Sequence, residues 1–372
     1  AWAVVAHVGA GFHSETNEKQ YLALLKRACI RAREVLDESQ SCEQAAAAAA
    51  AVLEADPSTN AGVGSNLTRD GTVEVDAAIF RSDGSFASIG AAPGLLDPSG
   101  ATLHLLEQSR QRLPLDLVPP IFLAGDSAST WAKSKGFAVS PSALITATSL
   151  SKWRSIGQHE RAAKAAGSRP LASRGAESAF QDTVGVVCMD QHARVASVVS
   201  SGGIAFKTSG RVGEAAMPGA GCWAGERDGI VVGVNCTGTG EEAMRRDLAR
   251  SLGRCALEPD WDCDMTLQRH LCPDSLHSPQ VWLGAVVLGY QTEQEGGVVE
   301  VAFGHNTPSM AVGVLSSGLR HPKVEMSRHM GTGVVTTGFR IPTLRRERKP
   351  ETSFQTATHR DHSGTKRRRR DA

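Results

Sequence analysis

The chain has 372 residues, a formal net charge of +1 at pH 7, and 41% hydrophobic residues. This length can bury a large core, and the apolar fraction is ordinary for a globular protein, which excludes wholesale disorder. The near-neutral charge provides no general attraction to nucleic acid or anionic lipid, and no apolar run approaches the roughly 20 residues that cross a bilayer. We therefore expect a globular protein that neither enters a membrane nor binds nucleic acid directly.

The first 150 residues are predicted to form strands and helices in blocks. Apolar residues recur at every third and fourth position over residues 21–36, which is typical of an amphipathic helix. Turn residues at 82–84 indicate a hairpin. The elements predicted in this half are a strand at 4–8, helices at 21–36 and 44–53, hairpin strands at 72–80 and 85–90, and helices at 103–111 and 127–135.

Composition changes after Leu150. Residues 151–181 are rich in Ser, Ala, Arg, Lys and Gly and have no sustained apolar period. This predicts a mobile linker that is helical at most around 160–166. The linker leads directly to Asp182 and Thr183.

The second half is predicted to be dominated by strands. Hairpin connections, rather than strict alternation of strands and helices, favour antiparallel sheets covered by helices in an α+β layered sandwich. Residues 1–341 would form this one domain, and 342–372 a basic disordered tail, with nuclear targeting or nucleic-acid contact as the alternative role of the tail. The predicted elements are strands at 184–190, 194–200, 230–235, 281–288, 298–303 and 310–316, and one helix at 241–252 that Gly253 ends.

A metal site is not predicted. Cys255, Cys263, His270, Cys272 and His277 lie close together in the sequence, but their spacing fits no usual zinc pattern. The scattered cysteines indicate reduced thiols.

Three glycine-rich loops, at 9–11, 62–64 and 237–240, resemble phosphate-binding loops. None has the Lys-Ser ending of a P-loop or a complete dinucleotide fingerprint, so no cofactor is expected. Backbone N–H groups at the start of a helix can instead stabilise an oxyanion, a role that suits Thr237 and Gly238.

Several motifs together resemble one family. They are HVGAGFHSE at 7–15, TNAGVGSNL at 59–67, GTVEVDAAI at 71–79, DTVGVV at 182–187, SSGGIAFKTSGRVG at 200–213, GAGCWA at 219–224 and HNTPSMAVG at 305–313. In this order they resemble threonine aspartases (taspases), a branch of the type 2 asparaginase family of N-terminal-nucleophile (Ntn) hydrolases.

The resemblance implies a four-layer αββα sandwich that is made as a zymogen. Thr183 would cut the peptide bond before itself, which separates an α part (1–182) from a β part that begins at Thr183, and the αβ units would form a homodimer. A threonine hydroxyl needs a base beside it, and the freed α-amine, whose ordinary pKa is about 7.7–8, can supply one.

Further site residues are carried over by position. Ser201 matches a second hydroxyl beside the nucleophile, and Arg211 an arginine that holds the substrate carboxylate. The remaining matches are Thr237 and Gly238 as oxyanion donors, Gly240 in the same substrate-binding loop, and Asn60, Gly9 and Gly11 as supporting residues.

Two features favour different substrates. Asp182 before the nucleophile is taspase-like and favours an endopeptidase that cuts polypeptides after Asp, with nuclear regulatory proteins as substrates. Glu214 occupies the place where asparaginases bind the substrate's α-amine, which favours an L-asparaginase or isoaspartyl peptidase. Asp182 carries the greater weight, so we expect the endopeptidase, acting inside the cell in the nucleus or cytoplasm. A second alternative is a nuclear interaction protein whose hydrolase site is unused.

Overall fold

A computed structural model describes residues 1–165, 183–272, 281–293, 296–329, 331 and 333–344. In this part of the chain, two sheets stack face to face and helices cover both outer surfaces. The predicted α+β sandwich with mainly antiparallel sheets is confirmed.

The first sheet has eight strands, and the nucleophile candidate Thr183 directly precedes one of them. All its strand pairs are antiparallel except β3 with β4. Its spatial order is β12 (Lys323–Arg328), β11 (Ser309–Ser316), β1 (Ala3–Gly11), β5 (Val184–Met189), β6 (Val195–Ser201), β2 (Glu74–Arg81), β3 (Phe86–Pro93) and β4 (Phe122–Ala124).

The second sheet has five antiparallel strands. Their order is β13 (Val335–Leu344), β10 (Gly296–His305), β9 (Leu283–Glu293), β8 (Ile230–Gly238) and β7 (Cys222–Arg227).

The described helices are α1 (Glu18–Ser39), α2 (Cys42–Glu54), α3 (Pro98–Ser109), α4 (Gly125–Ser134), α5 (Ala147–Ala165), α6 (Gly240–Arg245), α7 (Leu248–Ala256) and α8 (Cys263–Leu271). Helices α1 to α4 lie on the first sheet and α6 to α8 on the second, while α5 packs through Trp153 against the core between α1–α4 and the first sheet.

Strand β1 shows why the sequence of the central strands is almost continuously apolar. Val4 and Ala6 pack under the helices, whereas Ala3 and Val5 pack between the two sheets. Successive side chains of a strand point to opposite faces, so a strand covered on both faces needs apolar residues throughout.

The predicted helix at 241–252 is wrong in its continuity and in its end. The chain forms α6 and then α7, separated at Asp247, whose φ is 46°. Gly253 lies inside α7. The Trp223 ring packs against its α-carbon, and a Cβ there would overlap the ring. Glycine is required here by the packing and does not end the helix.

The predicted linker is wrong over its first part. Helix α5 continues to Ala165, and its Trp153 indole N–H donates to the Thr68 carbonyl at 2.8 Å. Residues 166–181 of the predicted linker and Asp182 lie outside the described residues, as do 345–372 of the predicted tail. Strand β13 extends to Leu344, beyond the expected domain end at 341.

The part of the chain with described structure shows no cluster of three metal-ligating side chains. Of the five residues considered for zinc, His277 falls in an undescribed segment. No helix described here has both the length and the apolar character needed to cross a bilayer.

Candidate active site

Thr183 immediately precedes β5 and is only 3% exposed. Its hydroxyl lies 2.6 Å from Glu214 Oε1 and 3.1 Å from Ser201 Oγ. The structure thus brings together Thr183, Ser201 and Glu214, which span 31 positions of the chain. The contact between Glu214 and the hydroxyl was not expected, since Glu214 was predicted to bind substrate.

Asp76 of β2, which the sequence analysis missed, fixes the position of Glu214. Its two carboxylate oxygens accept hydrogen bonds from the Ala91 and Gly213 amides, at 2.8 and 2.9 Å. The second bond holds the backbone directly before Glu214, which begins a short 3-10 turn. Asp76 lies inside the motif GTVEVDAAI, which was the available signal.

Glu214 is a buried carboxyl group that faces a cation. Burial raises the pKa of Glu214, while Arg211 and the hydrogen bond from Thr183 oppose that change. Gly240 makes room for this pair, because a Cβ there would overlap Glu214 Oε2 and lie 2.8 Å from Arg211 Nη2. The predicted site residues Arg211, Glu214 and Gly240 are therefore neighbours.

Arg211 is oriented by Glu241, a residue absent from the predicted site. Its Nε and Nη2 both donate to Glu241 Oε1, at 3.0 and 2.8 Å. Burial lowers the pKa of Arg211, but the carboxylates of Glu214 and Glu241 outweigh burial and raise it. The guanidinium therefore stays charged and can bind a carboxylate through paired N–H groups.

Lys207 places a second buried cation near Arg211. A Cβ at Gly203 would lie 3.1 Å from Lys207 Nζ and equally far from Arg211 Nη1. The ammonium donates to the Glu74 carbonyl at 2.7 Å, and burial lowers its pKa. Lys207 was also missed, although it lies between the glycines and Arg211 of the quoted motif.

Asn60 supports the loop that follows β6. Its side-chain amide and that of Asn66 both donate to the Gly203 carbonyl, at 2.9 and 2.8 Å. The Gly202 amide donates to the Asn60 carbonyl at 2.7 Å, and the Gly203 amide to Ser201 Oγ at 3.0 Å. The geometry suits the supporting role predicted for Asn60, through a loop that ends beside Ser201.

Gly185 allows β5 to approach two polar side chains closely. A Cβ at Gly185 would overlap both Asn235 Oδ1 and His7 Nε2, which themselves are 3.3 Å apart. Burial lowers the pKa of His7 to about 4, so its imidazole is neutral near pH 7. His7 and Asn235 were not predicted as site residues, although His7 opens the first motif.

Thr237 and Gly238 end β8, on the sheet opposite Thr183. Thr237 Oγ1 accepts a hydrogen bond from the Ala10 amide at 3.4 Å, which joins the end of β8 to the end of β1. The predicted glycine loop at 9–11 is wrong, because these residues belong to β1: Gly9 has a φ of 101° at an irregularity in the strand pairing, and Gly11 pairs with Ser309. The oxyanion role of Thr237 and Gly238 and the supporting role of Gly9 and Gly11 stay predictions.

Comparisons with known proteins identify related sequences. Residues 1–254 match the model of a family described as asparaginase. The chain is 34% identical to an isoaspartyl peptidase of Salmonella typhimurium over 253 residues, which are 65% of this chain and 75% of the relative. It is 32% identical to an isoaspartyl peptidase/L-asparaginase of Xenopus laevis, over 66% of this chain and 73% of the relative. A plant-type L-asparaginase of Pyrococcus horikoshii is also 32% identical, over 67% of this chain and 77% of the relative.

The matched region contains Thr183, Ser201, Arg211, Glu214 and the end of β8. The taspase branch suggested by the sequence is not represented by the names of these relatives, which are isoaspartyl peptidases and asparaginases. The family model covers more than half of the chain, and the fold is the one that family implies. The chain therefore belongs to the type 2 asparaginase family of Ntn hydrolases.

Proposed function

We propose that this hydrolase cleaves itself before Thr183 and then uses Thr183 to hydrolyse the side-chain amide of L-asparagine or the isopeptide bond of β-aspartyl peptides. The observation that carries this proposal is the pair of opposite charges beside the nucleophile. Arg211 suits an α-carboxylate, and the neighbouring Glu214 suits an α-ammonium. An aspartyl group that is linked only through its side chain keeps a free α-carboxylate and a free α-ammonium. An aspartate inside an ordinary polypeptide has both of these groups in peptide bonds and presents neither charge.

In the proposed reaction, the Thr183 hydroxyl attacks the side-chain carbonyl carbon and transfers its proton to the freed α-amine. That amine then protonates the leaving amine or ammonia. Ser201 Oγ supports the nucleophile, and Thr237 with Gly238 would stabilise the oxyanion. Water hydrolyses the resulting ester and restores the hydroxyl. The names of the relatives support this choice over the endopeptidase favoured by the sequence.

An endopeptidase that cuts after Asp remains the second candidate. Asp182 precedes Thr183, so self-cleavage would itself occur after an aspartate. An enzyme that accepts Asp on the acyl side of its own scissile bond is chemically equipped to accept Asp in a polypeptide.

The test is incubation of the mature enzyme with L-asparagine, a β-aspartyl dipeptide, and a peptide with an internal Asp. We expect release of ammonia or of the second amino acid from the first two. The Thr183→Ala variant is the control and should remain a single inactive chain. Cleavage of the internal Asp peptide alone would select the endopeptidase instead. An active wild type that stays in one piece would refute the role of Thr183.

A further inference from the structure

Self-cleavage needs a base other than the α-amine of Thr183, which the mature enzyme has and the uncleaved chain does not. This inference rests on the self-cleavage proposed above. Before cleavage, the Thr183 nitrogen belongs to a peptide bond, and an amide nitrogen is not a base near neutral pH. A different group must therefore accept the hydroxyl proton when Thr183 attacks its own peptide bond.

Two groups are close enough to accept that proton. A hydroxyl carries one proton and cannot donate it to Ser201 and Glu214 at the same time. The contact with Glu214 Oε1 is shorter, at 2.6 Å against 3.1 Å, and a carboxylate is the stronger acceptor. Ser201 Oγ already accepts the Gly203 amide at 3.0 Å, and its own proton is free to point at Thr183 Oγ1. The geometry therefore directs the Thr183 proton to Glu214.

We propose that Glu214 is the catalytic base of self-cleavage. Thr183 Oγ forms a bond to the carbonyl carbon of the peptide bond between residues 182 and 183, and its proton moves to Glu214 Oε1. The bond from that carbon to the Thr183 nitrogen then breaks, and the nitrogen takes the proton back from Glu214. The product is an ester on Thr183 Oγ and a free α-amine. Water hydrolyses the ester to a carboxylate at residue 182 and regenerates the hydroxyl.

The surroundings of Glu214 suit a group that both accepts and returns a proton. Burial raises its pKa toward the working pH, which makes the carboxylic acid formed after the attack less costly. Against this effect of burial, Arg211 lowers the pKa of Glu214 and so favours the ionised carboxylate that can accept a proton. Asp76 raises that pKa by a smaller amount. Burial lowers the pKa of Lys207 and raises that of the neutral Cys236 thiol, and Glu214 lies close enough to both groups to shift each pKa upward.

The backbone keeps Glu214 in place before any substrate binds. Its turn is held by the bond from the Gly213 amide to Asp76, at 2.9 Å, and Glu214 as a residue is only 3% exposed. The base is therefore available in the newly folded chain. Once the α-amine is free, it replaces Glu214 as the base, and Glu214 becomes available for the substrate's ammonium.

The experiment follows the first minutes of self-cleavage in cell-free synthesis, with the fragments resolved on a gel and the junction identified by mass spectrometry. Glu214→Gln keeps the shape of the side chain but removes its basicity, and we expect cleavage to slow by about 100-fold or more. Glu214→Asp keeps a carboxylate and should retain part of the rate. Glu226→Gln removes an exposed carboxylate of β7 and should cleave like the wild type.

A second arm separates loss of the base from loss of the fold. Glu214→Ala leaves space in the site, and added acetate should increase its cleavage rate in proportion to concentration, whereas equal chloride should not. The wild-type rate should rise with pH as Glu214 ionises, and the rescued variant should lose that dependence.

The outcomes separate this inference from the proposed function. If the wild type is never cut between residues 182 and 183, the proposed self-cleavage fails. If the wild type is cut and Glu214→Gln is cut at the same rate, self-cleavage stands and Glu214 is not its base. A slow Glu214→Gln variant whose Glu214→Ala counterpart does not respond to acetate would also overturn the role of Glu214.

Discussion

Replacing Arg211 by lysine should reduce kcat/KM strongly while leaving the positive charge in place. Arg211 uses two N–H groups on one carboxylate oxygen of Glu241, and its side chain is only 14% exposed. A lysine ammonium is a compact charge that cannot reproduce the planar fork. Losing one charge-assisted hydrogen bond in a buried site costs about 1.5–3 kcal/mol. At 1.4 kcal/mol for each factor of ten, this corresponds to a fall of roughly 10- to 150-fold.

The assay compares a β-aspartyl dipeptide with the same dipeptide carrying an amide in place of the aspartyl α-carboxylate. Removing the carboxylate should lower kcat/KM more in the wild type than in Arg211→Lys, because the variant has already lost the paired hydrogen bond to that group. Arg340→Lys is the matched control, since Arg340 also bonds a glutamate, Glu300, through Nε but lies 73% exposed. Equal kcat/KM for the wild type and a fully self-cleaved Arg211→Lys enzyme would refute the carboxylate-binding role.

Three further predictions concern the hydroxyl beside Thr183, the packing of α7 and a buried carboxyl group. Ser201→Ala should lower kcat about 10- to 100-fold with little change in KM, because the hydroxyl 3.1 Å from Thr183 Oγ1 supports the nucleophile; an unchanged kcat would exclude that role. Gly253→Ala should destabilise the protein by about 1–3 kcal/mol in urea unfolding, since its Cβ would overlap Trp223, whereas Gly289→Ala, where a Cβ meets open space, should be near neutral. Burial raises the pKa of Glu54 to about 8. The free energy of unfolding should therefore fall as the pH rises from about 4.5 to 8, because the unfolded state releases this proton first. The melting temperature of Glu54→Gln should lack this decline, and parallel pH profiles of the two proteins would contradict the assignment.

Local patterns predicted most of the strands and the helices of the first half. The valine-rich runs of β5 and β6 predicted these two strands, and the three-to-four spacing of α1 predicted its buried face. Elements with weaker local signals were missed, among them α8, β7, β12 and β13. Strand β12, for example, alternates exposed and half-buried residues at the edge of its sheet and includes Lys323 and Glu325, so its sequence shows little apolar character.

The residue types of the site were evident in the sequence because the motifs that carry them are short and continuous. Thr183, Ser201, Arg211, Glu214 and Gly240 were all selected before their positions in space were known. Their roles stay predictions, but the structure brings Thr183 within hydrogen-bonding distance of Ser201 and Glu214.

Only the tertiary structure decided which of these groups touch. Glu214 meets the Thr183 hydroxyl from a turn whose preceding residue, Gly213, is bonded to Asp76, 137 positions away. The need for glycine at position 253 likewise comes from Trp223, which packs on Gly253 from a neighbouring strand. Such contacts join residues that are distant in the chain, and local propensity carries no information about them. The sequence by itself determined the chemistry that is available, and the packing of the two sheets determined its geometry.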